Sequence, residues 1–403
     1  MHLSGRETAC SDSQACLPAP TAAALAHSHR LTENIRAGIE ANHGHISFKR
    51  YMQKVLYEPG LGYYSAGARK FGVEGDFITA PEVSPLFSRC LARQSEQIIR
   101  ALQGGIILEF GAGTGTMAVD ILTELKQRKC LPEKYLILEP SADLRQRQQQ
   151  QLAERVPELL TTVEWLDRLP GTPVKGLFLA NEVIDAQPTH RIVMADKNPC
   201  ELQVLWQDNA FSWGRVAASG ELANQVERIR RKLQSEWPDG YILEINTDLP
   251  AWMRSLSDSL AQGVMLFVDY GYPAHEYYHP QRTEGTLLCH YRHRVHSDPF
   301  LYPGLQDITA SVDFTAVAEA AVAAGLEVNG FTTQAHFLMA CGLDSMVPAC
   351  AGDNQKSLME ITRQVKILTL PGEMGERFKV IALSKQFDGA LMGFELADQR
   401  RRL

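Results

Sequence analysis

The sequence predicts an α/β fold in which helices pack on a mostly parallel, Rossmann-like sheet. Three observations carry this prediction. Short apolar runs, typical of strands buried on both faces, alternate along the chain with longer amphipathic stretches. The first run, residues 106–110, ends in a glycine-rich turn that leads directly into a helical pattern from Thr116 to Leu125. Acidic and amide side chains follow later runs, at the strand ends where doubly wound sheets bind ligands.

The composition sets broad limits on function. The chain has 403 residues, of which 45% are hydrophobic and 22% charged, as in an ordinary soluble globular protein of one elaborated domain or two. A net charge of -7 argues against a general affinity for nucleic-acid backbones. No apolar run is long enough to span a bilayer, and the eight scattered cysteines form no C-x-x-C pair. We therefore expect a cytoplasmic protein in a reducing compartment, with no nucleic acid as partner and no membrane insertion.

The N-terminal part is expected to be a tail followed by helices. Residues 1–30 are rich in small and polar side chains, which predicts a disordered tail. A helix is predicted over 31–41, and Ser47 is a typical N-cap for a second helix. The apolar face of this second helix is formed by Phe48, Tyr51, Met52, Val55 and Leu56.

Glycine-punctuated loops over 56–64 and 71–82 follow these helices. Such loops either close over a bound cofactor or clamp the N-terminal helices, and the sequence leaves both interpretations open. An amphipathic helix over 84–102 then leads to the first strand of the sheet. We assign 31–103 to N-terminal helices and a cofactor-covering loop.

The turn after the first strand predicts a cofactor site. Gly111, Gly113 and Gly115 alternate with small residues, which permits positive φ and lets a ligand lie on the backbone. A dinucleotide fingerprint fails when it is counted from Gly111. It is met by Gly113, Gly115 and Ala118, so a nicotinamide-dependent oxidoreductase stays open, as does a turn without ligand. Glu109 completes the E-x-G-x-G-x-G pattern of class I methyltransferases, which favours an S-adenosylmethionine site with this acid at the methionine end.

The next two strands add the expected nucleoside contacts. A strand over 134–138 ends in Glu139, and an acid in this position can accept two hydrogen bonds from ribose hydroxyls. Dinucleotide and methyl-donor sites share this feature, so it does not choose between them. A short strand over 162–166 follows, and we expect Leu166 and the loop after it to lie near the adenine.

The fourth strand, over 176–180, ends in the best candidate for chemistry. The segment that follows it carries Asn181, Glu182 and Asp185 at the edge where ligands gather. Asn181 is assigned to the cofactor, and the two carboxylates to catalysis. The alternative is that Asn181 and Asp185 only cap the following segment.

The remaining chain is expected to complete the sheet around one insertion and one lid. No metal site is predicted, because His290, His293 and His296 do not have helical i, i+4 spacing and lack clustered carboxylates. The predicted segments are a core over 104–189 and 240–385, an inserted β-meander and helix over 190–239, a fifth strand over 264–271, a lid over 271–311, a helix over 312–325, paired terminal strands over 327–332 and 378–383, and a C-terminal tail over 386–403.

Several sequence motifs, taken together, resemble those of one family. They are Leu56–Tyr64, Gly75–Glu82, Glu109–Gly115, Asn181–Pro188, Asp269–Gly271, Gln306–Thr309 and Glu373–Val380. Over roughly residues 31 to 385 the chain resembles the MidA family of methyltransferases, whose eukaryotic members are mitochondrial assembly factors for respiratory complex I. The resemblance implies a class I methyltransferase fold with a seven-stranded sheet and S-adenosylmethionine as donor. For the eukaryotic members it also implies symmetric dimethylation of an arginine in a complex I subunit.

These implications lead to a catalytic hypothesis. An arginine substrate is cationic, with a pKa above roughly 12, and carboxylates bind its guanidinium in a fork. We therefore expect Glu182 and Asp185 to orient the guanidinium, while Asp76 completes the pocket or contacts the donor. Glu109 and the three glycines would hold the methionine end of the donor, and Glu139 the ribose.

Two further expectations concern partners and location. The substrate would be a protein, and the insertion and the lid are candidates for partner recognition or for a homodimer interface. A eukaryotic chain would instead belong in the mitochondrial matrix. A non-catalytic assembly protein that keeps the fold is the third functional alternative, beside the methyltransferase and the oxidoreductase.

Overall fold

The structure, a computed structural model, describes residues 17–66, 78–351 and 355–403. Asp76 and most of the predicted loop over 71–82 lie outside the described residues. Among the described residues, no helix is long and apolar enough to cross a membrane.

The helices and strands alternate through most of the chain. The helices are α1 (Ala22–Ala41), α2 (Phe48–Tyr57), α3 (Ala80–Val83), α4 (Pro85–Leu102), α5 (Thr116–Gln127), α6 (Ala142–Arg155), α7 (Gly220–Leu233), α8 (Leu249–Ser259), α9 (Ala274–Tyr277), α10 (Phe314–Ala323), α11 (Gln334–Ala340), α12 (Leu343–Ala351), α13 (Gln355–Thr369) and α14 (Met374–Arg377). The strands are β1 (His45–Ser47), β2 (Ile106–Phe110), β3 (Tyr135–Leu138), β4 (Val163–Leu166), β5 (Val174–Asn181), β6 (His190–Ala195), β7 (Asn198–Gln207), β8 (Ala210–Ala217), β9 (Ile242–Ile245), β10 (Leu260–Tyr272), β11 (Leu287–Tyr291), β12 (Arg294–His296), β13 (Asp307–Ala310), β14 (Val312–Asp313), β15 (Glu327–Thr333) and β16 (Phe378–Lys385).

The largest sheet confirms the predicted α/β class. Its strands run in the order β15-β16-β10-β5-β2-β3-β4, and the two-residue β14 pairs with β10. The five strands from β10 to β4 are parallel, whereas β16 lies antiparallel between β10 and β15. The predicted pairing of the two terminal strands is therefore correct. An antiparallel strand in this place is not expected of the nicotinamide-dependent alternative.

The alternation of side chains along the central strands explains why helices cover both faces. Ile107, Leu177 and Val264 point into one apolar cluster, which α4 and α5 complete. Their neighbours Leu108, Phe178 and Met265 point into a second cluster under α8 and α10. Each fully buried side chain of this kind contributes roughly 1.5–3 kcal/mol, so a sheet buried on both faces needs apolar residues at consecutive positions.

The inserted meander forms a second sheet that includes more of the chain than predicted. β7 pairs with β1, β6 and β8, and β6 pairs with β9. β9 therefore belongs to the insertion, although the predicted core resumes at residue 240. β1, from the N-terminal segment, is a partner that no local pattern indicates. Phe48 and Tyr51 of α2 pack on the aromatic face of this sheet, against Trp213 and Phe211 respectively.

The region predicted as a lid over 271–311 is a small sheet rather than a long loop. β11 pairs with β12 and β13, and its residues alternate between buried and partly exposed. Leu287, Cys289 and Ile308 pack in the same cluster as the N-terminal helices. The histidines in this segment obscure the alternation in the sequence.

Both ends of the chain carry more structure than the predicted tails. α1 begins at Ala22, because the Thr21 side chain accepts the backbone N–H of Ala24 at 3.2 Å and caps the helix. The predicted disordered tail over 1–30 is therefore wrong for residues 22–30. The predicted C-terminal tail over 386–403 is also wrong in part, since Leu391 and Phe394 are buried in the core, where Phe394 contacts Phe337.

Candidate active site

A cavity of about 280 Å³ opens at the carboxyl ends of β2, β3 and β5, near the lower end of the roughly 300–1,000 Å³ usual for ligand pockets. This is the edge at which parallel sheets bind ligands. The residues that line it are Tyr57, Tyr64, Thr79, Pro81, Glu82, Glu109, Phe110, Gly111, Ala112, Gly113, Thr114, Thr116, Met117, Leu138, Glu139, Pro140, Leu144, Asn181, Glu182, Val183, Asp185, Ala186, Trp252 and Asp307.

The glycine-rich turn forms one wall of this cavity. Gly111, Gly113 and Gly115 have φ values of 61°, 54° and 86°, a left-handed region that glycine enters at no steric cost. Gly115 is the N-cap of α5 and lies against Gln148, which a Cβ at this position would approach within 3.3 Å. Gly111 and Gly113 line the cavity, whereas Gly115 is not among its described lining residues.

Two acids occupy the ends of the neighbouring strands β2 and β3. Glu109 is buried and accepts a hydrogen bond of 2.6 Å from the Tyr135 hydroxyl. Burial, reinforced by the nearby charge of Glu139, raises the pKa of Glu109 to about 7, although the Tyr135 bond opposes this shift. Tyr135 was not predicted, because nothing in the strand pattern pairs it with Glu109.

Gln148 connects Glu139 to the glycine turn. Its amide nitrogen donates to a Glu139 carboxylate oxygen at 3.1 Å and to the Gly113 carbonyl at 3.0 Å, while its oxygen accepts from Trp165 Nε1 at 3.0 Å. The second Glu139 oxygen accepts the Ser141 backbone N–H at 2.9 Å. Sequence reasoning missed Gln148, since the glutamine-rich stretch around it predicts a solvated helix.

The segment after β5 brings Asn181, Glu182 and Asp185 together on the opposite wall. Glu182 has φ 54°, a conformation that costs a residue with a side chain roughly 1–2 kcal/mol. Its backbone N–H donates to the Val268 carbonyl at 2.9 Å, and the Asn181 amide donates to its Oε1 at 3.1 Å. Non-glycine residues held in this conformation often lie at functional sites.

Asp269, near the end of β10, holds the segment after β5 in place. Its Oδ2 accepts the backbone N–H groups of Val183, Ile184 and Asp185 at 3.2, 2.9 and 3.3 Å. A single carboxylate oxygen therefore orients three consecutive amides of the turn that carries Glu182. The phrase that contains Asp269 helped to indicate the family, but the sequence did not show this role.

Burial raises the pKa values of the two candidate catalytic carboxyls. The pKa of Glu182 rises to about 8, mainly through burial and further through the charge of Asp185. The pKa of Asp185 rises to about 6 for the same main reason, while the neighbouring Tyr270 hydroxyl holds it lower. Each carboxyl is therefore sensitive to a cation placed beside it, because a cation favours the charged form.

Two buried oxygen atoms in this cluster have no hydrogen-bond partner among the described residues. They are Oδ1 of Asp185 and Oδ1 of Asn181. Leaving a buried polar group unpaired costs about 1–3 kcal/mol, so such atoms are normally satisfied. Both residues line the cavity, so these atoms lie beside any ligand that it holds, and the Tyr270 hydroxyl is the neighbouring protein group at Asp185.

Aromatic residues from the N-terminal segment form a further wall. The rings of Tyr57 and Tyr64 stack with centroids 5.5 Å apart. The Tyr57 hydroxyl donates to the Ala186 carbonyl at 2.9 Å, and the Tyr64 hydroxyl donates to the Asp307 carboxylate at 3.0 Å. None of these side chains was predicted as a site residue, although both tyrosines and Asp307 lie in phrases that resemble the family.

Of the other predicted site residues, Leu166 is not among the described residues that line the cavity. It packs at the edge of the second apolar cluster, and its carbonyl accepts a bond from Arg145 at 3.0 Å. No group of three or more histidine, cysteine, aspartate or glutamate side chains in the described part of the chain is arranged to hold a metal ion.

The charged residues that line the cavity are all acidic. The carboxyls that line it belong to Glu82, Glu109, Glu139, Glu182, Asp185 and Asp307, and no lysine or arginine occurs among the described lining residues. S-adenosylmethionine carries an ammonium and a sulfonium, so this lining fits its methionine end. The glycine turn with left-handed backbone lets such a ligand lie close to the chain.

The chain is similar over most of its length to proteins that are described as methyltransferases or likely methyltransferases. Residues 90–332 match the family described as "Putative S-adenosyl-L-methionine-dependent methyltransferase". A crystal structure from Burkholderia thailandensis with bound S-adenosyl-homocysteine is 42% identical, with a TM-score of 0.92, and the alignment covers 96% of this chain and 100% of that one. A native crystal structure from the same organism is 41% identical over the same shares, with a TM-score of 0.88.

More distant relatives have names that specify a substrate. The Drosophila melanogaster protein named "Protein arginine methyltransferase NDUFAF7 homolog, mitochondrial" is 29% identical over 393 residues, covering 90% of this chain and 85% of the relative. The Homo sapiens protein arginine methyltransferase NDUFAF7 is 27% identical over 377 residues, covering 84% and 80%. Sheet order, acidic cavity and relatives agree, and the chain belongs to the MidA family of class I methyltransferases, with S-adenosylmethionine as its methyl donor.

Proposed function

We propose that the protein methylates an arginine side chain of another protein. The observation that carries this proposal is the cluster of Glu182, Asp185 and Asn181, which lines an acidic cavity and includes buried oxygen atoms without partners. A guanidinium offers five N–H donors in a planar fork and one positive charge, which are what these atoms lack. The names of the curated relatives point to the same substrate class.

The residues of the glycine wall are proposed to hold the donor. Glu109, Gly111 and Gly113 would surround its methionine end, and Gly115 would shape the turn. Glu139 lies at the end of β3 and lines the cavity, held by its bonds to Ser141 and Gln148, and an acid in this position suits ribose hydroxyls. The assignment of Leu166 to the adenine and of Asn181 to the donor stays a prediction, as does the role of Asp76.

The proposed reaction is a direct methyl transfer in which positioning supplies most of the catalysis. The donor presents its methyl group on a sulfonium, which is already an activated leaving group. A guanidinium nitrogen forms the new N–C bond while the S–C bond breaks, and the nitrogen then loses one proton. Glu182 is the acceptor we propose for that proton, because the cationic donor and guanidinium beside it favour its charged form, and its raised pKa makes that carboxylate a stronger base than an exposed one.

The proposed acceptor is a protein. A cytoplasmic location and a homodimer both stay predictions. Mitochondrial location belongs to the names of the curated relatives.

The decisive experiment incubates the protein with donor carrying a labelled methyl group and a pool of arginine-centred peptides. Mass spectrometry then locates the label, with matched lysine-centred peptides as the control. Label on arginine that disappears in Glu182→Gln, while S-adenosylhomocysteine still binds in calorimetry, supports the proposal. If the label is found on another type of side chain, that side chain and not arginine is the methyl acceptor. Donor binding without transfer to peptides or to proteins would favour the non-catalytic assembly role.

A further inference from the structure

A second cleft lies between the insertion and the core, on the other side of the Glu182 segment. It has a volume of about 440 Å³ and is bounded by α7 and β9 from the insertion and by α8, α10 and β14 from the core. Its floor is apolar and includes Ile184, Ile245 and Leu249, while Arg228 stands on the α7 side. This cleft is separate from the donor cavity, and no step of the proposed reaction uses it.

The two cavities share the backbone that carries the candidate catalytic groups. Glu182 and Asp185 face the donor cavity, whereas Ile184 between them lines the second cleft. Two other elements also border both spaces, since α8 contributes Trp252 to one and Leu249 to the other, and the Asp307–Asp313 stretch contributes to each. A chain lying in the second cleft is therefore separated from the donor cavity by the segment that carries Glu182 and Asp185.

The acidic and basic residues of the cleft differ in whether they have partners, and this difference favours an acidic ligand. Its acids already have partners in the protein. Glu244 binds Arg191 and Thr286, Asp313 accepts the N–H groups that begin α10, and Glu319 pairs with Lys232 at 2.5 Å. Arg228 is exposed and has no ionic or hydrogen-bond partner among the described residues. Among the described lining residues, the acids are therefore paired, whereas the positive charge of Arg228 has no partner. A ligand with an acidic group could supply that partner.

We propose that this cleft binds the stretch of substrate polypeptide next to the target arginine, placing an aliphatic side chain on the apolar floor and an acidic side chain against Arg228. The proposal rests on the proposed function, since it names the sequence context in which the arginine is read. It makes the substrate an arginine in a segment that is otherwise apolar and acidic. The two halves of such a segment would be recognised by opposite charges on the enzyme.

The test measures binding of fluorescently labelled arginine-centred peptides by anisotropy, in the presence of S-adenosylhomocysteine. One flanking position at a time is glutamate, lysine or alanine, and an adjacent position is leucine or serine. We expect glutamate to be favoured over alanine by about two- to fivefold at one offset, the range of an exposed ion pair. Arg228→Glu should reverse this preference towards lysine at the same offset.

Two further variants separate the cleft from general effects. Arg215→Glu makes the same charge change on the exposed strand β8, outside the cleft lining, and should leave the preference as it is. Ala323→Trp fills the cleft from the exposed end of α10 and should weaken all peptides while S-adenosylhomocysteine binding is unchanged.

The outcomes distinguish this proposal from the proposed function. Absence of a charge preference at every offset, or equal effects of Arg228→Glu and Arg215→Glu, would overturn the cleft as a peptide site. Arginine methylation in those same peptides would then still stand. Charge-selective binding without label on arginine would keep the cleft and overturn arginine as the methylated residue.

Discussion

Replacing Glu182 by glutamine removes from the proposed guanidinium site a carboxyl that can become charged, while preserving the size of the side chain. Glutamine has the same length, and its side-chain oxygen can still accept the Asn181 amide, which lies 3.1 Å from Oε1. The variant also keeps the strained φ of 54°, so the turn itself should not relax. Any loss of methyl transfer can therefore be attributed to the carboxylate.

The expected size of the effect follows from the hydrogen bonds to the guanidinium. A bond to a charged group is worth about 1.5–3 kcal/mol and a neutral one about 0.5–1.5. The glutamine oxygen can keep one bond of the fork in neutral form, whereas its NH2 group cannot accept the second, so the fork loses about 2.5–4.5 kcal/mol. At about 1.4 kcal/mol per tenfold, this loss alone should lower kcat/KM by about 60- to 1,600-fold. Loss of the proposed proton acceptor should add about a hundredfold or more, so a total beyond about ten-thousandfold would support both roles of Glu182.

The pH dependence gives a second, independent readout. With a pKa of about 8, Glu182 is mostly protonated at neutral pH, so wild-type kcat/KM should rise with pH towards that value. Bound donor should move the inflection lower, because a cation beside the carboxyl favours its charged form. The glutamine variant should lose this inflection.

The raised pKa of Glu182 also predicts that Glu182→Gln is more stable than the wild type. A carboxyl with a raised folded-state pKa stabilises the fold below its ordinary value of 4.5, and this contribution is lost as the pH rises towards about 8. The melting temperature of Glu182→Gln should therefore exceed that of the wild type by a margin that grows as the pH rises from 4.5 to about 8. Glu164→Gln, an exposed change of the same chemistry on β4, is the control and should show no such trend.

Labelled methyl transfer to the peptide pool, with calorimetric titration of S-adenosylhomocysteine, checks these expectations. Unchanged transfer in Glu182→Gln would refute the assigned role. Equal loss of transfer and of S-adenosylhomocysteine binding would instead place Glu182 in the donor site.

Three further predictions test the walls of the cavity. Gly113→Val should abolish binding of S-adenosylhomocysteine, because valine disfavours a φ of 54° and projects atoms into the donor cavity; unchanged affinity in calorimetry would show that the pocket assignment is wrong. Glu139→Gln should weaken that binding by about five- to thirtyfold, the effect of about 1–2 kcal/mol when a charged acceptor becomes neutral, and an undiminished affinity would remove Glu139 from the ribose site. Glu182→Gly should be more stable than Glu182→Ala by about 1 kcal/mol in urea denaturation, since glycine tolerates the left-handed backbone; the opposite order would mean that the turn is not strained.

Much of the fold was readable from local patterns. The strands of the large sheet are short apolar runs that satisfy burial on both faces, and the turn at Gly111 and Gly113 needs residues that tolerate positive φ. The acids Glu109, Glu139 and Glu182 were predicted as site residues because they lie at or just after the ends of apolar runs, and Glu109 also because it stands two residues before Gly111, features that depend only on neighbouring residues. These features carry their signal within about ten residues, which is what pattern reasoning detects.

The rest of the site depends on contacts between distant parts of the chain. Asp269 orients the amide of Ile184 across 85 residues, and Tyr64 donates to Asp307 across 243 residues. Gln148 is buried because Glu139, Gly113 and Trp165 surround it, although its own helix is rich in glutamine. No local rule distinguishes these side chains from others of the same type, because their partners are chosen by tertiary packing.

The pairing of β1 with β7 also has a consequence for synthesis. His45 pairs with Leu205, so the N-terminal strand leaves the ribosome long before its partner exists. At about 5–20 residues per second, the intervening stretch takes on the order of 10–30 s to be made. During this time the apolar face of α2, including Phe48 and Tyr51, has no sheet to cover it. Nascent chains arrested before β7 should be cleaved in the α1–α2 region by protease, and chains arrested well beyond β9 should resist; equal cleavage of both would contradict this order of assembly. Chaperone demand in this protein would then be set by its first sixty residues rather than by its catalytic core.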